Sequence, residues 1–148
     1  MSTAVLLIAH GSRRPEANDD LRRLAEALRA KNLFAFVEIA YLELAQPDIA
    51  SGAQNCVAAG ATTIKLLPYF LSAGAHVVED LEQHRRELAE RFPNVRFELC
   101  PPLGLHPLMI EIVLDRLAEG GDARVSEIRN PRSEILRHEQ HPRLRRGR

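Results

Sequence analysis

Two histidines and a glutamate follow stretches of the chain that are predicted to be strands. His10 comes after the apolar run at 5–9, and Glu43 and His76 come after the next two predicted strands. Imidazole and carboxylate groups together are the usual ligands of divalent transition metal ions, and a site with few protein ligands keeps positions open for a substrate. The three residues therefore predict a site that handles a metal ion.

The elements that must position these residues alternate along the chain. Strands are predicted at 5–9, 34–42, 62–68 and 95–100, and helices at 15–31, 47–59, 77–91 and 107–117. This alternation predicts an α/β fold with a four-stranded, mainly parallel sheet and helices on both faces. In the common strand order 2-1-3-4, strands two, one and three are neighbours about 5 Å apart, so the three loops meet at the carboxyl edge. A single such residue is more often solvated or a helix cap, and the convergence of three loops favours the site.

His106 follows the fourth predicted strand and directly precedes Pro107. In the predicted order it lies one strand further along the same edge. Two roles stay open for it, as a member of the site or as a cap of the last helix.

Arg13 and Arg14 stand where the first helix is expected to begin, beside backbone N–H groups that attract anions. They predict binding of a carboxylate or phosphorylated ligand, and a solvated arginine pair is the equal alternative. Gly11 gives the backbone room to turn, and Ser12 is interpreted as a capping or orienting hydroxyl. A hydrolase or transferase with Ser12 as nucleophile is a further hypothesis, although the G-x-S-x-G elbow is absent. Neither nucleotide-binding glycine motif occurs, so no nucleotide cofactor is expected.

Composition favours one domain with an extension. The chain has 148 residues and no net charge, but residues 122–148 carry eight Arg against four Asp or Glu. We expect an α/β domain at 1–121 and a flexible Arg-rich tail at 122–148, in which His138 and His141 could bind metal only if helical. The tail could also attract anionic partners weakly.

The start of the chain resembles neither a leader nor a membrane span, so a soluble, cytoplasmic protein without membrane or nucleic-acid partners is expected. Cys56 and Cys100 lack metal-site or disulfide spacing and are interpreted as two buried thiols.

Four segments in order resemble one known family. They read L-I-A-H-G-S-R at 7–13, Y-L-E-L-A-Q-P at 41–47, L-P-Y-F-L-S-A-G-A-H-V-V-E-D at 67–80, and P-L-G at 102–104 with H-P at 106–107. The chain from about residue 3 to 119 thus resembles the short CbiX/SirB-type class II chelatases, which insert a metal into sirohydrochlorin. The resemblance implies a chelatase-like, flavodoxin-like lobe. It does not extend to the tail.

The resemblance also implies roles for the residues. His10 and His76 are expected to be the catalytic, metal-binding histidines, with Glu43 as a further ligand and His10 as the preferred base. The divalent metal, Co²⁺, Fe²⁺ or Ni²⁺, is a substrate in cobalamin or sirohaem-type biosynthesis. The expected substrate-binding set for the anionic tetrapyrrole consists of Ser12, Arg13, Arg14, Leu71, Ser72, Ala73, Gly74 and Ala75. Family members of this length resemble one lobe of longer chelatases, which implies a homodimer. A non-catalytic metal or tetrapyrrole carrier using the same site is the main alternative.

Overall fold

A four-stranded sheet with helices on both faces is the centre of the computed structural model, which describes residues 2–104 and 106–120. The elements in chain order are β1 (Thr3–Ala9), α1 (Pro15–Ala30), β2 (Phe36–Tyr41), α2 (Ile49–Ala58), β3 (Thr63–Pro68), α3 (Ala75–Arg91), β4 (Arg96–Leu99) and α4 (Leu108–Glu119). The strand order is β2-β1-β3-β4, and every neighbouring pair is parallel. The predicted α/β fold and strand order are therefore confirmed.

The chain divides into two compact units, residues 1–104 and 105–148. The sheet and helices α1 to α3 belong to the first unit, and α4 belongs to the second. The predictions for the tail at 122–148, including those for His138 and His141, lie outside the described residues. No helix in the described part of the chain combines the length and apolarity needed to cross a membrane.

The central strand β1 is apolar from Ala4 to Ala9 because both of its faces are covered. Leu6 and Ile8 pack in a core cluster with residues of α2 and α3, while Val5 and Leu7 pack with residues of α1. A strand buried on both faces has no solvent-facing position, so it lacks the alternation of a half-exposed strand. This burial explains why a continuous apolar run ends so abruptly at His10.

The start of α2 depends on a side-chain cap. Asp48 is the N-cap residue, and its carboxylate accepts a hydrogen bond from the backbone N–H of Ser51 over 2.8 Å. Pro47, predicted to open this helix, lies just before the cap. The hydrogen bonds from Ser51 hold the pKa of Asp48 below its ordinary value of 3.8. A lowered folded-state pKa means that the carboxylate stabilises the protein at neutral pH, and that this contribution is lost as the pH falls through the folded-state value.

Replacing Asp48 by Ala is therefore expected to lower the free energy of unfolding by about 1 kcal/mol at neutral pH. The difference from the parent should be smaller at an acidic pH below 3.8, because the parent carboxylate is lost as the pH falls through its lowered folded-state pKa. Urea unfolding at both pH values measures this. The matched control Asp48→Asn keeps a capping oxygen without the charge and should retain most of the stability. A stability difference that is equal at both pH values would contradict the prediction.

The two cysteines differ in burial. Cys56 is buried in α2, as predicted, and burial is the main cause that raises the pKa of its thiol to about 12. Cys100 is only half-buried, so its predicted full burial is wrong. It directly follows the edge strand β4, which has a neighbour on one side only.

Alkylation should distinguish the two thiols, because the thiolate is the reacting form. In the folded protein we expect iodoacetamide to leave Cys56 unmodified while Cys100 reacts slowly. Both should react in urea. Mass spectrometry of the digested protein provides the measurement, and equal labelling of the two cysteines in the folded state would disprove the expected difference.

Candidate functional site

His10 and Glu43 meet at the carboxyl edge of the sheet. The hydrogen bonds between β1 and β2 continue past both strand ends, and the backbone N–H of Glu43 donates to the carbonyl of His10 over 3.0 Å. This brings His10 Nε2 to 2.8 Å from Glu43 Oε1. The two side chains remain 61 % and 56 % exposed, so a ligand can reach them from solvent.

Gly11 permits this close approach. Its φ is +98°, and a Cβ built at this position would lie 1.8 Å from the carbonyl oxygen of Glu43. Only glycine adopts such a φ readily, and only a residue without a side chain fits against that oxygen. The sequence order His10-Gly11 is thus required by the contact between the two loops.

The paired imidazole and carboxylate are suited to exchanging a proton for a metal ion. Their separation fits an Nε2–H donor on His10 and an acceptor oxygen on Glu43. A metal ion about 2.0–2.2 Å from each atom would need them about 3 Å apart, a small change. Because the nitrogen that binds must carry no proton, a metal ion bound at Nε2 takes the place of that proton, which a neutral imidazole can carry on Nδ1 instead.

His76 lies in the first turn of α3 and is exposed. The helix begins at Ala75, two residues earlier than predicted, because Gly74 already takes the extended N-cap conformation. In residues 2–104 and 106–120, no group of three or more His, Cys, Asp or Glu side chains is arranged so that it could hold a metal ion. The structure therefore brings together His10 and Glu43 but does not complete the predicted set with His76.

The loop from His10 to α1 is held by backbone and side-chain hydrogen bonds. Ser12 Oγ accepts from the N–H of Arg14, which fits an orienting hydroxyl. The side-chain amide of Asn18 bonds both the N–H and the carbonyl of Ser12. Arg13 and Arg14 are exposed and directly precede Pro15, the first residue of α1, so both stand at the helix N-terminus as expected.

The loop before α3 starts at the same edge, because Tyr69 N–H donates to the carbonyl of Ile8 in β1. Leu71 is 70 % exposed, which leaves a large apolar side chain free to contact a ligand. The other members of the expected substrate-binding set in this loop are exposed or half-buried, and they lead into α3: Ser72, Ala73, Gly74 and Ala75.

A cavity of about 320 Å³ lies beside Glu43. Its lining is formed by residues of one segment: Tyr41, Leu42, Glu43, Leu44, Ala45, Gln46 and Asp48. Glu43 is predicted from the sequence, whereas the cavity is not, although the motif at 41–47 marks the same segment. Asn18 is not predicted either, because it belongs to none of the motifs and its role shows only in its contacts.

His106 is found in the second unit, where its Nδ1 accepts a hydrogen bond from the N–H of Leu108 over 3.1 Å. This contact satisfies a backbone donor at the start of α4. Of the two roles left open by the sequence, it supports the capping role.

The chain is similar in sequence to several curated proteins. The chain is 33 % identical over 113 residues to a chloroplastic sirohydrochlorin ferrochelatase of Arabidopsis thaliana, covering 76 % of this chain and 50 % of the relative. It is 31 % identical over 123 residues to a sirohydrochlorin cobaltochelatase of Priestia megaterium, covering 83 % of this chain and 40 % of that relative. The chain thus spans half or less of the length of these curated relatives.

A solved structure of SirB from Bacillus subtilis with Fe³⁺ resembles the chain with a TM-score of 0.75 and 32 % identity, covering 82 % of this chain and 48 % of SirB. The family model described as CbiX matches residues 4–120, a region that contains all of the sheet except its first residue, the paired His10 and Glu43, and His76. The chain therefore belongs to the CbiX family of chelatases.

Proposed function

We propose that the protein inserts a divalent metal ion, Co²⁺ or Fe²⁺ with Ni²⁺ as a further candidate, into sirohydrochlorin without a nucleotide. The observation that carries the proposal is the 2.8 Å pairing of His10 Nε2 with Glu43 Oε1 at an open sheet edge. Curated relatives of nearly equal identity to the chain are named as ferrochelatase and cobaltochelatase. This similarity supports the reaction without favouring one of the two metals.

The reaction needs two things that this edge can supply. Metal insertion removes the pyrrole protons of the ring and exchanges water ligands of the ion for ring nitrogens. Neutral His10 and carboxylate Glu43 hold the ion, and His76 completes the ligand set when the substrates bind. His10 then accepts one pyrrole proton as it gives up the metal, and the second proton passes to solvent water.

The macrocycle carries several carboxylates, which need cationic partners. Arg13 and Arg14 are exposed at the N-terminus of α1, where the helix dipole adds to their positive charge. We place the acidic rim of the ring there, with Ser12 orienting the loop. Leu71, Ala73 and Ala75 offer apolar contact to the face of the ring.

The test is an anaerobic absorbance assay of sirohydrochlorin with Co²⁺ or Fe²⁺. The protein should accelerate metal insertion over the protein-free rate and complete many turnovers. A carrier that uses the same site would bind metal or ring without turnover, so binding without catalysis would replace the proposed function by the carrier alternative.

We also propose that the active form is a homodimer in the cytoplasm. The dimer is supported by large apolar side chains that are exposed on α4: Leu108, Ile110, Ile112, Val113 and Leu117. A helix with this many exposed apolar side chains is typical of one that packs against a partner. Sedimentation equilibrium decides the oligomeric state, and a monomer over the whole concentration range of the assay would exclude the dimer.

A further inference from the structure

We propose that Asn18 is a positioning residue that holds the His10 loop against Glu43. The inference rests on the proposed metal-binding role of the His10 and Glu43 pair. Asn18 lies on α1, six residues after Ser12, and its side chain is directed back to the loop rather than to the sheet. It would act on the metal only through His10.

The side-chain amide of Asn18 holds one residue of the loop at two points. Its Nδ2 donates to the carbonyl of Ser12 over 2.9 Å, and its Oδ1 accepts from the N–H of the same residue over 3.0 Å. Each amide atom meets the complementary backbone group, so a flipped amide would set donor against donor and acceptor against acceptor. These bonds fix the backbone two residues beyond His10.

The same residue is joined to the strand that precedes Glu43. The hydroxyl of Tyr41 donates to the backbone carbonyl of Asn18 over 2.9 Å. Tyr41 is only 1 % exposed and ends β2, two residues before Glu43. Asn18 therefore connects the two chain segments whose side chains form the pair, through Ser12 on one side and Tyr41 on the other.

The pair needs such support because burial does not hold it. Both side chains are more than half exposed, and the residue after His10 is a glycine, the residue with the greatest backbone freedom. Gly11 permits the close contact with Glu43 but does not enforce it. The hydrogen bonds from Asn18 come directly after this flexible position and limit how far His10 can move.

The experiment compares Asn18→Leu with Asn55→Leu, the same replacement in a neighbouring helix. Asn18→Leu loses two side-chain hydrogen bonds to the loop, whereas Asn55→Leu loses one of 3.0 Å, which Asn55 makes to Glu38 and not to the loop. The first measurement is made without metal, as the ¹⁵N shifts of the His10 imidazole. In Asn18→Leu these should move from the parent values toward those of Glu43→Gln, whereas in Asn55→Leu they should stay unchanged.

The second measurement is Co²⁺ binding, followed by the visible spectrum of the ion. Residues that orient metal ligands typically contribute about 10- to 100-fold to metal affinity. We expect a loss of that size in Asn18→Leu with an altered spectrum, and neither change in Asn55→Leu. Asn18→Asp keeps the acceptor oxygen but not the donor and should lie between the parent and Asn18→Leu. Tyr41→Phe should shift the His10 signals in the same direction.

Parent-like His10 shifts in folded Asn18→Leu would overturn the inference. If Asn18→Leu does not fold, parent-like shifts in both Asn18→Asp and Tyr41→Phe would overturn it. A parent protein that binds no Co²⁺ would instead refute the proposed function, and the metal-free measurement would still decide the role of Asn18.

Discussion

Replacing His10 by Ala is expected to lower kcat/KM for metal insertion by at least about 100-fold, the lower end of what a positioned base contributes. The replacement removes the imidazole whose Nε2 lies 2.8 Å from Glu43 Oε1. A lone, exposed carboxylate at this edge can attract a cation but cannot accept a pyrrole proton at neutral pH as efficiently as an imidazole. Steady-state rates with sirohydrochlorin and Co²⁺ measure the effect.

The control is His84→Ala, which removes an imidazole of α3 near Asp80, outside the proposed site. It should retain the parent rate. Glu43→Gln keeps the shape of the side chain but removes its charge, and it should raise the KM for the metal. Parent-like kinetics in His10→Ala would refute the mechanism, and parent-like kinetics in His76→Ala would remove His76 from the ligand set.

Replacing Gly11 by Ala is expected to lower the free energy of unfolding by about 2–5 kcal/mol. The left-handed backbone at φ +98° costs a residue with a side chain about 1–2 kcal/mol. The overlap of the new Cβ with the carbonyl oxygen of Glu43, at 1.8 Å, adds about 1–3 kcal/mol of overpacking. The backbone can relieve the overlap only by moving the two loops apart, so Co²⁺ affinity should fall as well.

Gly60 is the matched control for the backbone term. It also has a positive φ, +89°, but a Cβ there would meet no atom within 4 Å. Gly60→Ala should therefore show only the cost of the backbone, about 1–2 kcal/mol, with unchanged Co²⁺ binding. Urea unfolding and Co²⁺ titration of both variants give the comparison. Equal stability and equal metal affinity of the two variants would mean that the close contact at Gly11 does not exist in solution.

The fold was predictable because its main signals are local. The apolar residues of β1 are buried on both faces, and the helical spacing of Leu21 and Ala25 places both against the sheet. Short-range patterns of this kind follow from the geometry of each element. The parallel order then follows from the alternation of strands and helices.

The first and last residues of the helices and strands were less predictable. The start of α3 at Ala75 moves His76 from a predicted loop into the first turn of a helix. The first residue of a helix depends on which hydrogen bonds form in its first turn. A start at Ala75, with Gly74 as the N-cap residue, forms them as well as the predicted start at residue 77. The partial exposure of Cys100 likewise depends on the position of β4 at the edge of the sheet.

The sequence by itself predicted the strands, their order, and His10 and Glu43 as residues that follow neighbouring strands. Only the tertiary structure decided which of them touch: it pairs His10 with Glu43, and it shows the contacts of Gly11 and Asn18 that support this pair. The reason is that strand order sets distances between backbones, whereas a contact between side chains depends on loop conformation. The Tyr41 hydroxyl bonds a carbonyl 23 residues away, and no local pattern encodes such a bond.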